Sequence, residues 1–159
     1  MVITLSQLQA CAQMTFDEKM NSLYKGSVPL IHSTDLVTRI RENNAIILLD
    51  TRSENEFNVS RIAGSSLIDY DSFSVEQVAN LSKDAEIVVY CSVGYRSERV
   101  GEKLIKLGFT NVKNLYGGIF EWKNSEKIVI NPQGIITDSV HTYNKNWSQW
   151  LFKGTKVYE

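Results

Sequence analysis

The sequence predicts an α/β domain in three layers, a central parallel sheet flanked by helices, with short extensions at both ends. Three observations lead there. Short apolar runs at residues 45–50 and 87–90 and a strand candidate at 111–116 alternate with segments at 35–43 and 98–107 whose apolar residues recur at helical spacing. The runs at 45–50 and 87–90 are apolar almost throughout, which suits strands covered on both faces. Polar and reactive residues then fall where the runs stop, at Asp50, Thr51 and Arg52 and again at Cys91. The carboxyl edge of a parallel sheet is where α/β sites form, and alternating strands and helices pair in parallel through right-handed crossovers.

In chain order, residues 1–27 form an N-terminal extension, expected to be helical. Its first part carries Val2, Ile3, Leu5 and Leu8 ahead of Cys11, a loose match to a bacterial lipoprotein cleavage site. No Lys or Arg precedes Cys11, and Thr4, Ser6, Gln7 and Gln9 interrupt the apolar stretch that a signal segment requires. An amphipathic helix is the expectation, with cytoplasmic localisation; an envelope lipoprotein anchored through Cys11 is the alternative. Phe16, Met20, Leu23 and Tyr24 then predict a helix over 15–24, with Asp17 and Glu18 near its start and Gly26 past its end.

The domain proper is expected over 28–124. Residues 28–31 form a short strand and 35–43 a helix with Leu36, Val37 and Ile40 inward. His32, between them, reads as a hydrogen-bonded loop residue. After the strand at 45–50 comes a strand at 66–70, then a short helix at 74–81 with Val75, Val78 and Leu81 inward. Residues 87–90 form the strand ending at Cys91, and 98–107 a helix with Val100, Leu104 and Leu107 on one face and Gly108 as its stop. A strand at 111–116 leads through Gly117 and Gly118 into a last helix. In the C-terminal extension, 125–159, residues 128–130 and 134–136 around Pro132 suggest extended pieces, and then Val140, Tyr143, Trp147, Trp150 and Leu151 recur at helical intervals. They predict a helix laying its aromatics on the domain; a lid over the Cys91 loop or a partner-docking patch are the other readings. His141 shows no identifiable partner.

The reactive stretch is Cys91-Ser92-Val93-Gly94-Tyr95-Arg96-Ser97, a thiol on a loop between a strand and a helix. Backbone N–H groups in such a turn point inward, and the helix start adds unpaired N–H groups and a positive dipole end. This environment favours the thiolate and makes Cys91 a competent nucleophile. Gly94 permits the tight turn, and Arg96 brings a fixed charge with a planar fork for an oxyanion.

These residues resemble the active-site loop of rhodanese-type sulfurtransferases, in which the cysteine carries a persulfide. Cysteine, four residues and arginine, as here, is similar to the sulfur-transfer members; related phosphatases and arsenate reductases place five residues between the two. Two further segments carry the resemblance. Asp50-Thr51-Arg52 followed by Glu56-Phe57 and residues 60–65 is similar to the family's Asp-x-Arg, acidic-aromatic pair and Gly-His-Ile-Pro-Gly-Ala pattern, although Ser60, Arg61 and Ala63 stand at the Gly, His and Pro positions. Gly117, Gly118 and Trp122 match its Gly-Gly-x-x-x-Trp element.

The resemblance covers roughly 28–124 and implies a rhodanese-like domain that moves a sulfane sulfur from thiosulfate or a persulfide donor to a thiophilic acceptor. Cys91 is then the catalytic residue. Ser92, Val93, Gly94, Tyr95, Arg96 and Ser97 bind the small anionic donor, and Asp50 and Arg52 support the loops, as a structural ion pair or by substrate contact. A thiol or a protein is the acceptor; no cofactor and no metal are needed. The alternatives are a non-enzymatic docking or sulfur-sensing module and, less favoured by loop length, a phosphatase or arsenate reductase.

Composition narrows the rest. With 159 residues there is room for one domain with a proper core but not for two catalytic domains. A formal net charge of -1 excludes a basic nucleic-acid footprint, and apolar runs of four or five residues fall far short of the roughly twenty that span a bilayer. Cys11, Cys91, His32 and His141 show no paired metal-ligand spacing, and a Cys11–Cys91 disulfide would block the nucleophile.

Overall fold

The computed structural model describes residues 14–42 and 45–158. Helix α1 (Phe16–Leu23) precedes β1 (Leu30–Ile31), α2 (Ser33–Glu42), β2 (Ile47–Asp50), α3 (Glu54–Val59) and β3 (Ser65–Leu67). A 3-10 turn at Val75–Val78 leads to β4 (Ile87–Tyr90), α4 (Tyr95–Lys106), β5 (Val112–Leu115) and α5 (Gly118–Asn124). The five strands form one all-parallel sheet in the order β1-β5-β4-β2-β3. Every residue of central β4 is fully buried, as an unbroken apolar strand between two helical layers must be.

Because side chains alternate along a strand, β4 feeds two cores. Val88 and Tyr90 join Met20 of α1, Leu36 of α2 and Ile119, Phe120 and Trp122 of α5 on one face. Ile87 and Val89 join Leu49 of β2 with Val100 and Leu104 of α4 on the other. The helix over 98–107 is therefore the expected one, begun three residues earlier, and Leu107 is half-buried at its end. No helix among the described residues is long and apolar enough to cross a membrane.

Two expectations fail in detail. The helix at 74–81 is a single 3-10 turn. Only its C-terminal end reaches the sheet, so Val78 is buried while Val75 stays 48% exposed. In the C-terminal extension no long helix forms. The extended pieces expected around Pro132 are there as strands β6 (Val129–Ile130) and β7 (Ile136–Thr137), paired as a hairpin, but beyond them β8 (Ser139–His141) pairs in parallel with β9 (Thr155–Val157) around a 3-10 turn at Trp147–Trp150.

The reason is where the backbone bonds go. Thr142 N–H donates to the Val157 carbonyl at 2.7 Å and Thr155 N–H to the Asp138 carbonyl at 2.8 Å, which takes this backbone out of any i to i+4 ladder. Tyr143 then adopts a left-handed φ of 63°, which no α-helix continues through. His141, expected to lack a partner, is buried, and its Nδ1 accepts the Tyr143 N–H at 3.1 Å. His32 packs its ring 4.8 Å from that of Tyr116, away from the pocket described below. Cys11 lies outside the described residues; Cys91 is a free thiol.

Candidate active site

Cys91 follows the last residue of β4, and the loop after it is built so that its carbonyls face outward. The Cys91 carbonyl accepts Ile119 N–H at 2.9 Å and the Ser92 carbonyl accepts Phe120 N–H at 3.1 Å, both from the start of α5. The Val93 carbonyl accepts the Tyr24 hydroxyl at 2.6 Å, and the Gly94 carbonyl accepts Asn114 Nδ2 at 2.9 Å. In a trans peptide the carbonyl and the following N–H point opposite ways. Four carbonyls held outward therefore turn the N–H groups of residues 92 to 95 inward, and that of Gly94 donates to Cys91 Sγ at 3.1 Å. The first-turn amides of α4 continue the same anion-favouring surface.

Two glycines make the loop possible. Gly94 turns at φ 94°, and a side chain there would collide with the Tyr24 ring. Gly118, at φ 56°, lies so close to the loop that a Cβ would strike the Cys91 carbonyl and Ser92 backbone. Gly118→Ala is accordingly expected to cost about 2 kcal/mol or more in stability, the left-handed strain plus a backbone clash. Urea unfolding measures it, and a loss below about 0.5 kcal/mol would show that α5 does not press on the loop.

Arg96 is placed by Glu56, the acidic member of the acidic-aromatic pair. Glu56 on α3 is buried, and its carboxylate accepts both arms of the Arg96 guanidinium, at 2.8 and 2.7 Å. It also accepts the Ser92 hydroxyl at 2.8 Å and the Ser53 N–H that closes the capping box of α3. Burial would push the Glu56 carboxyl up, but bonding to Arg96 and the charges of Arg96 and Arg52 overcome it and hold it at about 2. Glu86, bonded to Arg39 and then to Lys113 at the start of β4, is held at about 2 in the same way.

Both folded values lie below the ordinary 4.5. Their stabilisation is therefore complete above about pH 4.5 and is lost as the pH falls toward 2. Urea midpoints measured from pH 7 to pH 2 are expected to hold until about 4.5 and then drop, and Glu86→Gln should flatten that drop. An unchanged acid limb in the variant would remove Glu86 as a contributor.

Asp50 and Arg52 form a fully buried pair below the site. Arg52 Nε and Nη2 donate to Asp50 at 2.9 and 2.6 Å, and Nη2 also donates to the Ser60 carbonyl at 2.6 Å. The guanidinium lies 5.9 Å from the Tyr90 ring centre. The pair ties the turn after β2 to the end of α3, and neither residue lines the pocket. Ser97 is likewise buried, its hydroxyl donating to Asn114 Oδ1 at 2.7 Å. Its side chain therefore braces the loop through Asn114 and does not line the pocket.

Above Cys91 opens a pocket of about 420 Å³ lined by Leu23, Tyr70, Asp71, Cys91, Ser92, Val93, Tyr95, Arg96, Tyr143 and Trp147. Of the expected binding residues, Ser92, Val93, Tyr95 and Arg96 stand in its wall. Tyr143 and Trp147 come from the C-terminal extension, so the extension reaches the site. Glu56, Tyr24 and Asn114 are not among the residues expected at the site, and Tyr143 and Trp147 are so only in the reading of the extension as a lid. Glu56 alone had a local signal, the Ser53-x-x-Glu56 capping box. The others arrive only through long-range packing.

A family model described as rhodanese-like domain matches residues 33–125. A sulfurtransferase of Allochromatium vinosum is 27% identical over 104 residues, covering 65% of this chain and 96% of its own. The thiosulfate sulfurtransferase GlpE of Pseudomonas aeruginosa is 35% identical over 88 residues, 55% of this chain and 78% of its own. Against the adenylyltransferase and sulfurtransferase UBA4 of Candida albicans, identity is 24% over 128 residues, 76% of this chain but only 28% of that protein. Among solved structures, the BH2092 protein of Bacillus halodurans superposes with a TM-score of 0.61 at 24% identity, over 76% of this chain and 89% of that one.

Proposed function

Because the chain belongs to the rhodanese-like domain family, we propose that it is a sulfurtransferase that carries a sulfane sulfur on Cys91. The observation that carries this reading is the set of inward amides around a free thiol at the end of the central strand, with one of them already donating to Sγ. Relatives named as sulfurtransferases support sulfur transfer as the general chemistry.

The Cys91 thiolate attacks the outer sulfur of the donor, forming the Sγ–S bond. The donor's S–S bond breaks with its electron pair leaving on sulfite, if thiosulfate is the donor, or on a thiolate, if the donor is a persulfide. The loop amides face the anionic persulfide that results. A removed donor of this oxyanion-hole kind costs a few kcal/mol of transition-state stabilisation. A thiolate acceptor, small or on a protein, then attacks the outer sulfur and returns Cys91 as thiolate. Neither half-reaction consumes anything beyond donor and acceptor.

The test is intact mass after incubation with thiosulfate or a persulfide and again after cyanide. A gain of about 32 Da that cyanide removes supports the carrier role. No gain with either donor class would favour a non-enzymatic docking module on the same fold.

A further inference from the structure

The family match ends at residue 125, yet the pocket over Cys91 is walled in part by residues outside it. Tyr143 and Trp147 of the C-terminal extension and Leu23 of α1 line it together with Tyr70 and Tyr95. Tyr143 is held there at some cost. It is a non-glycine residue at φ 63°, its N–H is fixed by His141 Nδ1, and its ring lies 5.3 Å from the Arg96 guanidinium. Left-handed strain in a bulky residue persists where the surroundings over-determine it, which is common at ligand clamps. Trp147 is steadied from outside by Lys19, 5.3 Å from its ring.

The charge of the wall points the same way. The lining residues carry two charged side chains, Arg96 and Asp71. The Arg96 fork is held by Glu56 through two bonds and by Ser92 Oγ at 3.1 Å, while its charge still acts on Cys91. Lys19 and Lys103 lie against the rings of Trp147 and Tyr70 and are not among the lining residues. A small dianion such as thiosulfate finds inward amides in this pocket but, among the described residues, no cation in its wall beyond the paired Arg96. A donor with an apolar body finds aromatic faces on which to be buried.

Resting on the sulfur-transfer reading above, we infer that the two terminal extensions make this site selective for an organic persulfide with an aromatic or aliphatic body. Thiosulfate is the poorer donor. The step is R–S–SH plus the Cys91 thiolate giving the Cys91 persulfide with the donor's proton on its outer sulfur, and R–S⁻; that proton then passes to R–S⁻ or to solvent, leaving the anionic persulfide that the amides face. The Sγ–S bond forms, the donor S–S bond breaks, and the electron pair leaves on the R thiolate.

The experiment is single-turnover sulfur loading of Cys91, followed by intact mass, with three donors: benzyl persulfide and methyl persulfide, both generated in situ, and thiosulfate. Each rate is divided by that of the same donor with free cysteine, so that intrinsic reactivity cancels. Wild type is expected to favour benzyl over methyl persulfide by about tenfold or more, the scale of burying one aromatic ring, and to favour both over thiosulfate. Trp147→Ala should reduce the benzyl-to-methyl ratio to about threefold or less. Tyr143→Asn should do so independently, because asparagine accepts the left-handed backbone and the side chain it replaces is exposed. A wild-type ratio near one, thiosulfate loading faster than both persulfides, or variants that keep the full ratio would each overturn the inference. Loading by none of the donors would instead count against sulfur transfer itself.

Discussion

Cys91→Ser is expected to gain no mass from thiosulfate or any persulfide while wild type gains one sulfur, a loss of roughly a thousandfold or more in loading rate. Serine presents an alcohol in the same place, and neither the cradle nor Arg96 can make it a sulfur carrier. The effect on folding should be small. Cys91 is buried at the strand end, its Sγ accepts the Gly94 N–H, and a serine oxygen can accept that same bond. A stability change under about 1 kcal/mol is expected, because the substitution preserves volume and leaves a satisfied hydroxyl. Mass spectrometry and urea unfolding on one preparation separate the two outcomes. Wild-type loading in the variant would remove Cys91 from the mechanism, and an unfolded variant would show that the thiol is chiefly a packing residue.

Glu56→Ala is expected to be the most damaging change that does not touch the thiol. It leaves the Arg96 guanidinium, whose side chain is only 18% exposed, without its carboxylate. It also removes the acceptor for the Ser92 hydroxyl and half of the α3 capping box. Breaking one side of a buried ion pair costs about 3–5 kcal/mol, or roughly 10 °C in melting temperature for a domain of this size. The loop should lose its order with the pair, so sulfur loading by any donor falls with it. The companion variant Arg96→Met tests whether the cost belongs to the pair. The double variant Glu56→Ala with Arg96→Met should be less destabilised than the sum of the two by about 1–3 kcal/mol. Additive losses would mean that Glu56 acts through its cap alone.

The local pattern was enough to place every element of the central sheet and the thiol at the end of its middle strand. Uninterrupted apolar runs such as 45–50 and 87–90 are explained only by burial on both faces, and the period changes from strand to helix just beyond Cys91. Local pattern was misleading at the C-terminus. Val140, Tyr143, Trp147 and Trp150 have helical spacing, but spacing along the chain carries no information about pairing with β9. That strand, fifteen residues on from Thr142, takes the backbone bonds that a helix would need.

What the chain's own order of residues decided is the kind of chemistry: a cysteine, a glycine turn and an arginine are covalent neighbours, and neighbours along a strand–turn–helix unit stay neighbours in any fold that forms it. What the tertiary structure decided is how that chemistry is held and to whom it opens. The outward carbonyls depend on α5, Tyr24 and Asn114. The position of Arg96 depends on Glu56, forty residues away, and the pocket wall depends on Tyr143 and Trp147. Each of these contacts joins residues far apart in sequence. They come together only because burying the two faces of one parallel sheet brings all of its flanking segments to the same edge.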